Sequence, residues 1–239
     1  MATRGRPDGH SLKVRVKTAK RRKTSSTRWL QRQLNDPYVA EAQQKGYRSR
    51  AAFKILQIDD KFHFFHPGAR VVDLGAAPGG WTQIAVEKIN AMGRDKDKQG
   101  LLVAVDLQEV DAMAGAVILH GDAETDEMLA QIKDELGGSA DIVLSDMAPS
   151  TTGHPPTDHL RIVGLCESAL DIARELLAPG GVFVAKVFQG GAQGELLLAM
   201  KGLFKSVKHF KPPASRKESA ETYVIAIGFR GDKDEASKD

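Results

Sequence analysis

The chain has 239 residues, 41% of them hydrophobic, enough to bury the core of one ordinary domain but too few for a second large one. No long apolar run and no apolar segment of secretory type occur, which speaks against a membrane partner and export; a cytoplasmic protein is expected. The net charge of +3 hides an asymmetry: residues 1–32 carry eleven Lys or Arg and one acid, Asp8, while the rest holds 23 basic and 30 acidic groups.

Residues 1–28 therefore read as a basic arm on an acidic body. Such an arm points to a polyanion partner, because phosphate contacts release counterions; a solvated tail and an organelle transit peptide are the competing readings. Apolar spacing begins in 29–44, where Asp36-Pro37 has the capping residue and first-turn proline of a helix start. In 47–56 Ala52, Phe53, Leu56 and, just beyond, Ile58 recur at helical spacing, so a helix carries Lys54. Short apolar runs at 69–74, 101–106, 116–119, 142–145 and 182–187 then read as strands, and 81–89, 126–136, 160–177 and 194–203 as helices. This alternation predicts an α/β, doubly wound, Rossmann-like domain over 29–230, with helices on both faces of a parallel sheet. Residues 204–210 and 222–229, separated by Pro212-Pro213, read as a C-terminal antiparallel hairpin that completes a seven-stranded sheet. From 231 the tail is charged and expected to be disordered. Cys166 reads as a buried thiol in an apolar-periodic stretch. His154 and His159 have no partners at metal-ligand spacing, so no metal is expected. Their loop, 153–159, reads as a substrate-side flap or as plain surface.

The strongest local signal is Val71-Val72-Asp73-Leu74-Gly75-Ala76-Ala77-Pro78-Gly79-Gly80-Trp81: a buried strand, a glycine turn and a helix opening, at the sheet edge where open α/β folds bind ligands. The spacing is not the dinucleotide fingerprint, and Pro78 removes an amide where a pyrophosphate needs one, so a nicotinamide cofactor is disfavoured. Asp106 ends the second strand, where an acid receives the two hydroxyls of an adenosine ribose. Asp122, in His120-Gly121-Asp122-Ala123, is placed either to reach an adenine edge or to cap the helix starting near 126. Asp146 ends the fourth strand, in the ligand crevice. Lys186 lies in the apolar strand Gly181-Val182-Phe183-Val184-Ala185-Lys186-Val187-Phe188. It either snorkels out at the strand end or, the reading we prefer, meets a carboxylate in the crevice. Glu221, read alone, is an ordinary solvated charge.

Taken together, these segments resemble the FtsJ/RrmJ family of RNA ribose 2'-O-methyltransferases. The resemblance runs from about Ser25 to Phe229 and rests on five motifs: Ser49-Arg50-Ala51-Ala52-Phe53-Lys54, Asp73 to Trp81, Ser145-Asp146-Met147-Ala148-Pro149, Lys186-Val187-Phe188-Gln189-Gly190, and Ser215-Arg216 leading to Glu221-Thr222-Tyr223. It implies an S-adenosylmethionine-dependent fold, in which a terminal hairpin is characteristic, and a catalytic tetrad at Lys54, Asp146, Lys186 and Glu221. It implies cofactor contacts at Gly79, Trp81, Asp106, Asp122 and Asp146. The implied substrate is a uridine ribose in the A-loop of large-subunit (23S) ribosomal RNA, within an assembling 50S subunit, and the enzyme is expected to be a monomer. The departures are the basic arm at 1–24 and the polar loop at 93–100.

The chemistry agrees with the assignment. Transfer of a methyl group to a ribose hydroxyl needs the oxygen aligned and its proton accepted. On this reading Lys186 accepts the proton, Asp146 orients it and faces the sulfonium methyl, and Lys54 and Glu221 position the ribose. A neighbouring ammonium and desolvation favour the neutral amine that a base requires, while the carboxylates oppose it. Arg28, Arg32, Lys45, Arg48 and Arg50 are candidates to extend a basic surface towards Lys54, each being individually explicable as helix solvation. Three rival functions remain: an assembly factor that keeps the fold without activity, a small-molecule methyltransferase, and a relative acting on transfer RNA or messenger caps. The complete tetrad opposes the first, and the short inserts and basic arm oppose the second.

Overall fold

A computed structural model describes residues 24–149, 152–188 and 194–231. The arm up to residue 23, the tail from 232, and Gln189 and Gly190 of the fourth motif lie outside the described residues. Residues 24–28, counted with the arm above, belong to the first helix, α1 (Thr24–Leu34). The next, α2 (Pro37–Lys45), starts as its sequence dictates: the Asp36 side chain accepts the Tyr38 amide, Pro37 occupies the first turn, and Gly46 ends the helix in the left-handed region, at φ 71°. A third helix, α3 (Ala52–Phe62), precedes the sheet.

The alternation then proceeds as β1 (Arg70–Leu74), α4 (Gly80–Lys88), β2 (Leu101–Asp106), β3 (Val117–His120), α5 (Asp126–Leu136), β4 (Ala140–Ser145), α6 (Pro155–Leu176), β5 (Leu177–Phe188), α7 (Gly194–Leu203), β6 (Phe204–Phe210) and β7 (Glu221–Phe229). The strand order is β3-β2-β1-β4-β5-β7-β6. The pairs from β3 across to β5 are parallel, and β7 inserts antiparallel between β5 and β6. The expected hairpin is thus present, with its second strand on the inside. From β1 onward two boundaries lie five residues from expectation, and the others lie within two. α6 starts at Pro155 instead of 160, because two successive prolines fit a first turn that needs no amide donors. β5 starts at Leu177, which pairs with Ala140; between that pair and Ile142–Val182 the register shifts, with the extra residues in β5. The 93–100 loop holds a single 3-10 turn, Lys96–Lys98, started by the Asp95 side chain.

Each strand alternates between two apolar layers. Val72, Leu74, Val143, Phe183 and Ala185 pack in the layer that contains α5, α6 and α7 residues. Val71, Leu102, Ile142, Leu144, Val182, Val184 and Tyr223 pack in the layer that contains α3 and α4 residues. With both faces covered, a strand must be apolar at every position, which explains the continuous runs in the sequence. The same period of two places polar residues. Lys186 follows Val182 and Val184 on the α3/α4 face, and Glu221 shares that face with Tyr223 and Ile225.

Candidate active site

The alternation brings the tetrad together where β4 and β5 end. Lys186 pairs across the sheet with Tyr223, and Phe188 with Glu221. Ser145 pairs with Ala185, so Asp146, the next residue, emerges beside Lys186. From the helix layer α3 lowers Lys54 onto the same spot; Lys54 and Lys186 are each only 8% exposed. Charges this deep persist only when paired, and all four are. Lys186 Nζ lies 3.0 Å from Asp146 Oδ1 and also donates to the Asp146 backbone oxygen. Lys54 Nζ lies 2.8 Å from Glu221 Oε1 and 2.9 Å from Oε2.

The tetrad is therefore two ion pairs, and the carboxylates do not share Lys186. A residue that the sequence reading did not single out joins them: the buried Tyr223 hydroxyl accepts from Lys54 Nζ at 3.1 Å and donates to Asp146 Oδ1 at 3.0 Å. The signal for it was its position, two residues beyond Glu221 on the same strand face. Ser215 Oγ donates to Glu221 Oε1 at 2.8 Å, tethering the middle of the β6–β7 loop to the cluster. Burial pushes the Asp146 carboxyl up. The charges of Lys186 and Lys54, with hydrogen bonds from Lys186 and Tyr223, outweigh burial and hold the carboxyl below the usual carboxylate value. The Tyr223 hydroxyl is raised well above its ordinary value by burial and by the charges of Asp146 and Glu221, so it stays a neutral donor.

Asp146 also lines a cavity of about 950 Å³ that opens over the carboxyl ends of β1, β2 and β4. Gly75, Ala77, Asp106, Asp122 and Met147 share that lining. Gly75 sits at φ 76°, and a Cβ there would lie 2.8 Å from Met147, so only glycine lets β1 turn under the β4 exit. Asp106 accepts the Ala77 amide at 2.8 Å and the Gln108 amide at 2.7 Å. Those bonds fix the carboxylate and still leave lone pairs for a ligand. Asp122 Oδ1 accepts the Glu124 amide at 3.0 Å. The cap of α5 is Thr125, whose side chain accepts from Met128, so Asp122 is a turn residue with a face to the cavity and not the helix cap.

The two remaining expected cofactor residues lie elsewhere. Gly79, at φ 103°, is covered by Arg48, whose guanidinium a Cβ at that position would strike at 2.7 Å; Arg48 is anchored on the Asp111 and Ala112 carbonyls. Trp81 is 2% exposed; its indole donates to the Ala51 carbonyl at 3.0 Å and its ring packs 5.5 Å from that of Tyr223. Neither is among the residues that line the cavity. Beneath the glycine turn Asp73 is fully buried, with Thr82 Oγ1 donating to one carboxylate oxygen at 2.6 Å. Its other oxygen has no hydrogen-bond partner among the described residues. Burial, against the Thr82 bond and with Asp146 and Asp106 nearby, raises its carboxyl to about 7. Among the described residues no group of three or more His, Cys, Asp or Glu could hold a metal ion, and no helix is long and apolar enough to cross a membrane.

A doubly wound seven-stranded sheet with an inserted terminal strand, and a cleft at its carboxyl edge, is the fold of a methyltransferase. The chain belongs to the FtsJ-like methyltransferase family, whose model matches residues 47–229. It is 63% identical, over 92% of its length and 90% of the relative, to a Paramagnetospirillum magneticum protein named ribosomal RNA large subunit methyltransferase E. A Ruegeria pomeroyi protein of the same name is 58% identical over 92% of the chain and 95% of the relative. Among solved structures, a Plasmodium falciparum chain described as a ribosomal RNA methyltransferase superposes with a TM-score of 0.67. It is 27% identical and covers 77% of this chain and 100% of that one.

Proposed function

We propose that the protein transfers the methyl group of S-adenosylmethionine to the ribose 2'-hydroxyl of a uridine in the A-loop of large-subunit (23S) ribosomal RNA, during assembly of the 50S subunit. We place this in the cytoplasm, with the protein acting as a monomer. The observation that carries the reading is the buried Lys186–Asp146 pair, set at the strand ends where the cavity meets the α3 face. The names of the relatives and the basic arm support the RNA class.

The cavity residues fit the cofactor. Asp106 and Asp122 present carboxylate acceptors suited to ribose hydroxyls and an adenine edge, Gly75 leaves the floor open, and the acidic lining suits a sulfonium. In this assignment Gly79 supplies the turn that opens α4, and Trp81 backs the wall through Tyr223. The bound cofactor supplies an electrophilic methyl group. The chain's own work is to align the hydroxyl and take its proton.

Once Lys186 has given one proton of its ammonium to solvent, the amine that remains has two N–H donors and one lone pair. Both donors of Lys186 are committed to Asp146, one to Oδ1 and one to the backbone oxygen. That geometry leaves the lone pair directed away from Asp146, free to accept the 2'-hydroxyl proton at Nζ. Asp146 aims the amine and borders the cavity on the methyl side. Lys54, held by Glu221 and Tyr223, sits across the cluster to position the ribose. In this assignment the basic arm grips phosphates and the body at 29–230 carries the reaction.

The test is methyl transfer from labelled S-adenosylmethionine to large subunits from a methylation-deficient strain, with mapping of the modified ribose. One labelled A-loop uridine 2'-oxygen is expected. Labelling at another RNA, or none despite cofactor binding, overturns the substrate assignment.

A further inference from the structure

A second groove, of about 480 Å³, lies between the α1–α2 corner and the loop that joins β6 to β7. It does not belong to the cofactor cavity, and the reaction as described leaves it unused. Its walls combine two chemistries. Arg32, Arg50, Arg216 and Lys217 provide four cations, against the acids Asp36 and Glu218, while Pro37, Tyr38 and Pro213 provide flat apolar surface.

The groove is built, because its cations are oriented from beneath. The Asp36 side chain, 8% exposed, lies 3.0 Å from Arg50 Nε and 3.4 Å from Arg216. Arg50 also donates to the Ala214 carbonyl, and its guanidinium lies 5.9 Å from the centre of the Tyr38 ring. Tyr38 in turn rests on Phe53 at 5.2 Å, one residue before Lys54. A guanidinium fixed beside an aromatic ring is the surface on which an unstacked base settles, and exposed cations at the rim suit its phosphate.

The groove is also joined to the reaction centre. Ser215 lines it and donates to Glu221, which holds Lys54. At its other end α1 leads back to residues 1–23, nine of which are Lys or Arg. Like charge makes that arm a poor occupant of the groove and a good companion to whatever anion enters it.

We propose that this groove binds one nucleotide of the single-stranded RNA flanking the target ribose, its base against Arg50 and Tyr38 and its phosphate towards Arg32, Arg216 and Lys217. The proposal rests on the RNA methyltransferase reading, yet it is tested by binding alone. A fluorescent single-stranded oligoribonucleotide spanning an A-loop sequence is titrated with the full chain and with the double variant Arg32→Glu/Lys217→Glu. Both residues are exposed, which spares the fold. A control double variant, Lys201→Glu/Lys205→Glu, carries the same charge change near the opposite end of β7, where Phe204 pairs with Phe229.

The groove variant is expected to weaken binding at least about tenfold at physiological salt and to flatten the slope of log affinity against log salt by roughly 0.7, as loss of one single-strand phosphate contact requires. Its cofactor affinity stays within twofold of the parent chain. Equal weakening by the control variant would reduce the effect to net charge and overturn the subsite. So would unchanged binding, or competition by free uridine monophosphate that matches the oligonucleotide. If the groove variant loses affinity while the parent chain methylates no RNA, the subsite stands and the reaction assignment falls.

Discussion

The proposed cofactor cleft and the proposed catalytic cluster lie side by side but are built from different materials. The cleft is a backbone object: a glycine turn at φ 76° and strand-end carboxylates that anchor neighbouring amides at 2.7 and 2.8 Å. Its lining comes from the ends of β1, β2 and β4, the turn at 121–124 and one face of α6. The cluster is a side-chain object, with Lys54 meeting Glu221 and Asp146 meeting Lys186 across long spans of sequence. A site made of backbone tolerates side-chain loss by degrees. A site made of buried opposite charges fails when one member is removed, because the partner is stranded without compensation.

The largest expected effect follows from that contrast. Lys186→Ala removes the proposed proton acceptor and leaves the Asp146 carboxylate without its ion-pair partner, so kcat should fall by about 10²–10⁴-fold, with cofactor affinity changed less than about threefold. Stopped-flow methyl transfer with parallel cofactor titration checks this. Near-normal turnover by a folded variant would remove Lys186 from the chemistry.

Two acids beneath the site should show opposite pH behaviour. Asp73 has its folded value raised from 3.8 to about 7. Its contribution to stability is therefore fully present below 3.8 and is lost as pH rises through about 7. Asp146 has its folded value lowered, so its contribution is present above 3.8 and is lost as pH falls through that lowered value. Asp73→Asn keeps an acceptor for Thr82 without the charge. Denaturant unfolding should show it more stable than the parent chain at pH 8, by up to roughly 4 kcal/mol at about 1.36 kcal/mol per pH unit, with the gain shrinking towards pH 4. A gain that grows on acidification would contradict the burial argument.

For the cleft, Asp106→Ala should cost less than the loss of Lys186 and act on a different parameter. Hydrogen bonds to a charged acceptor are worth about 1.5–3 kcal/mol, so cofactor Kd should rise about tenfold to a hundredfold while kcat at saturation is largely retained. Calorimetric titration separates this from a collapse of both parameters, which would make Asp106 a structural prop of the Ala77 turn.

The same difference in materials governs what could be read from sequence. The strands, the glycine turn and Asp106 were legible because each depends on local period or local turn chemistry. β2, α5, α7 and β6 begin and end where the apolar pattern places them. The tetrad was legible only through family resemblance: a lone lysine in an apolar strand announces that it needs a partner but does not say which. The division into two pairs depends on the β5–β7 register, which places Tyr223 opposite Lys186, and on the tilt that α3 gives Lys54. Arg48 over Gly79 was equally hidden, since the segment before α3 gives no sign that it lies on the glycine turn. The start of α6 is obscured for a local reason: successive prolines break most periodic patterns, yet they fit a first turn that needs no amide donors.

The smallest expected effect decides what Asp122 is for. Its Oδ1 closes a turn by accepting the Glu124 amide at 3.0 Å, and its side of the chain borders the cavity. Asn at this position still offers an oxygen to that amide, so Asp122→Asn preserves the turn and removes only the charge and half of the acceptor capacity. Ala removes the turn contact as well. If the carboxylate meets the cofactor, Asn should weaken cofactor binding by about 0.5–1.5 kcal/mol, a few-fold in Kd, with thermal stability unchanged, and Ala should add a stability loss of about the same size. If Asn and Ala both bind cofactor like the parent chain while Ala alone melts early, Asp122 belongs to the turn, and the adenine edge is read by the backbone of 121–124. In that outcome the cleft is more completely a backbone object than its carboxylates imply.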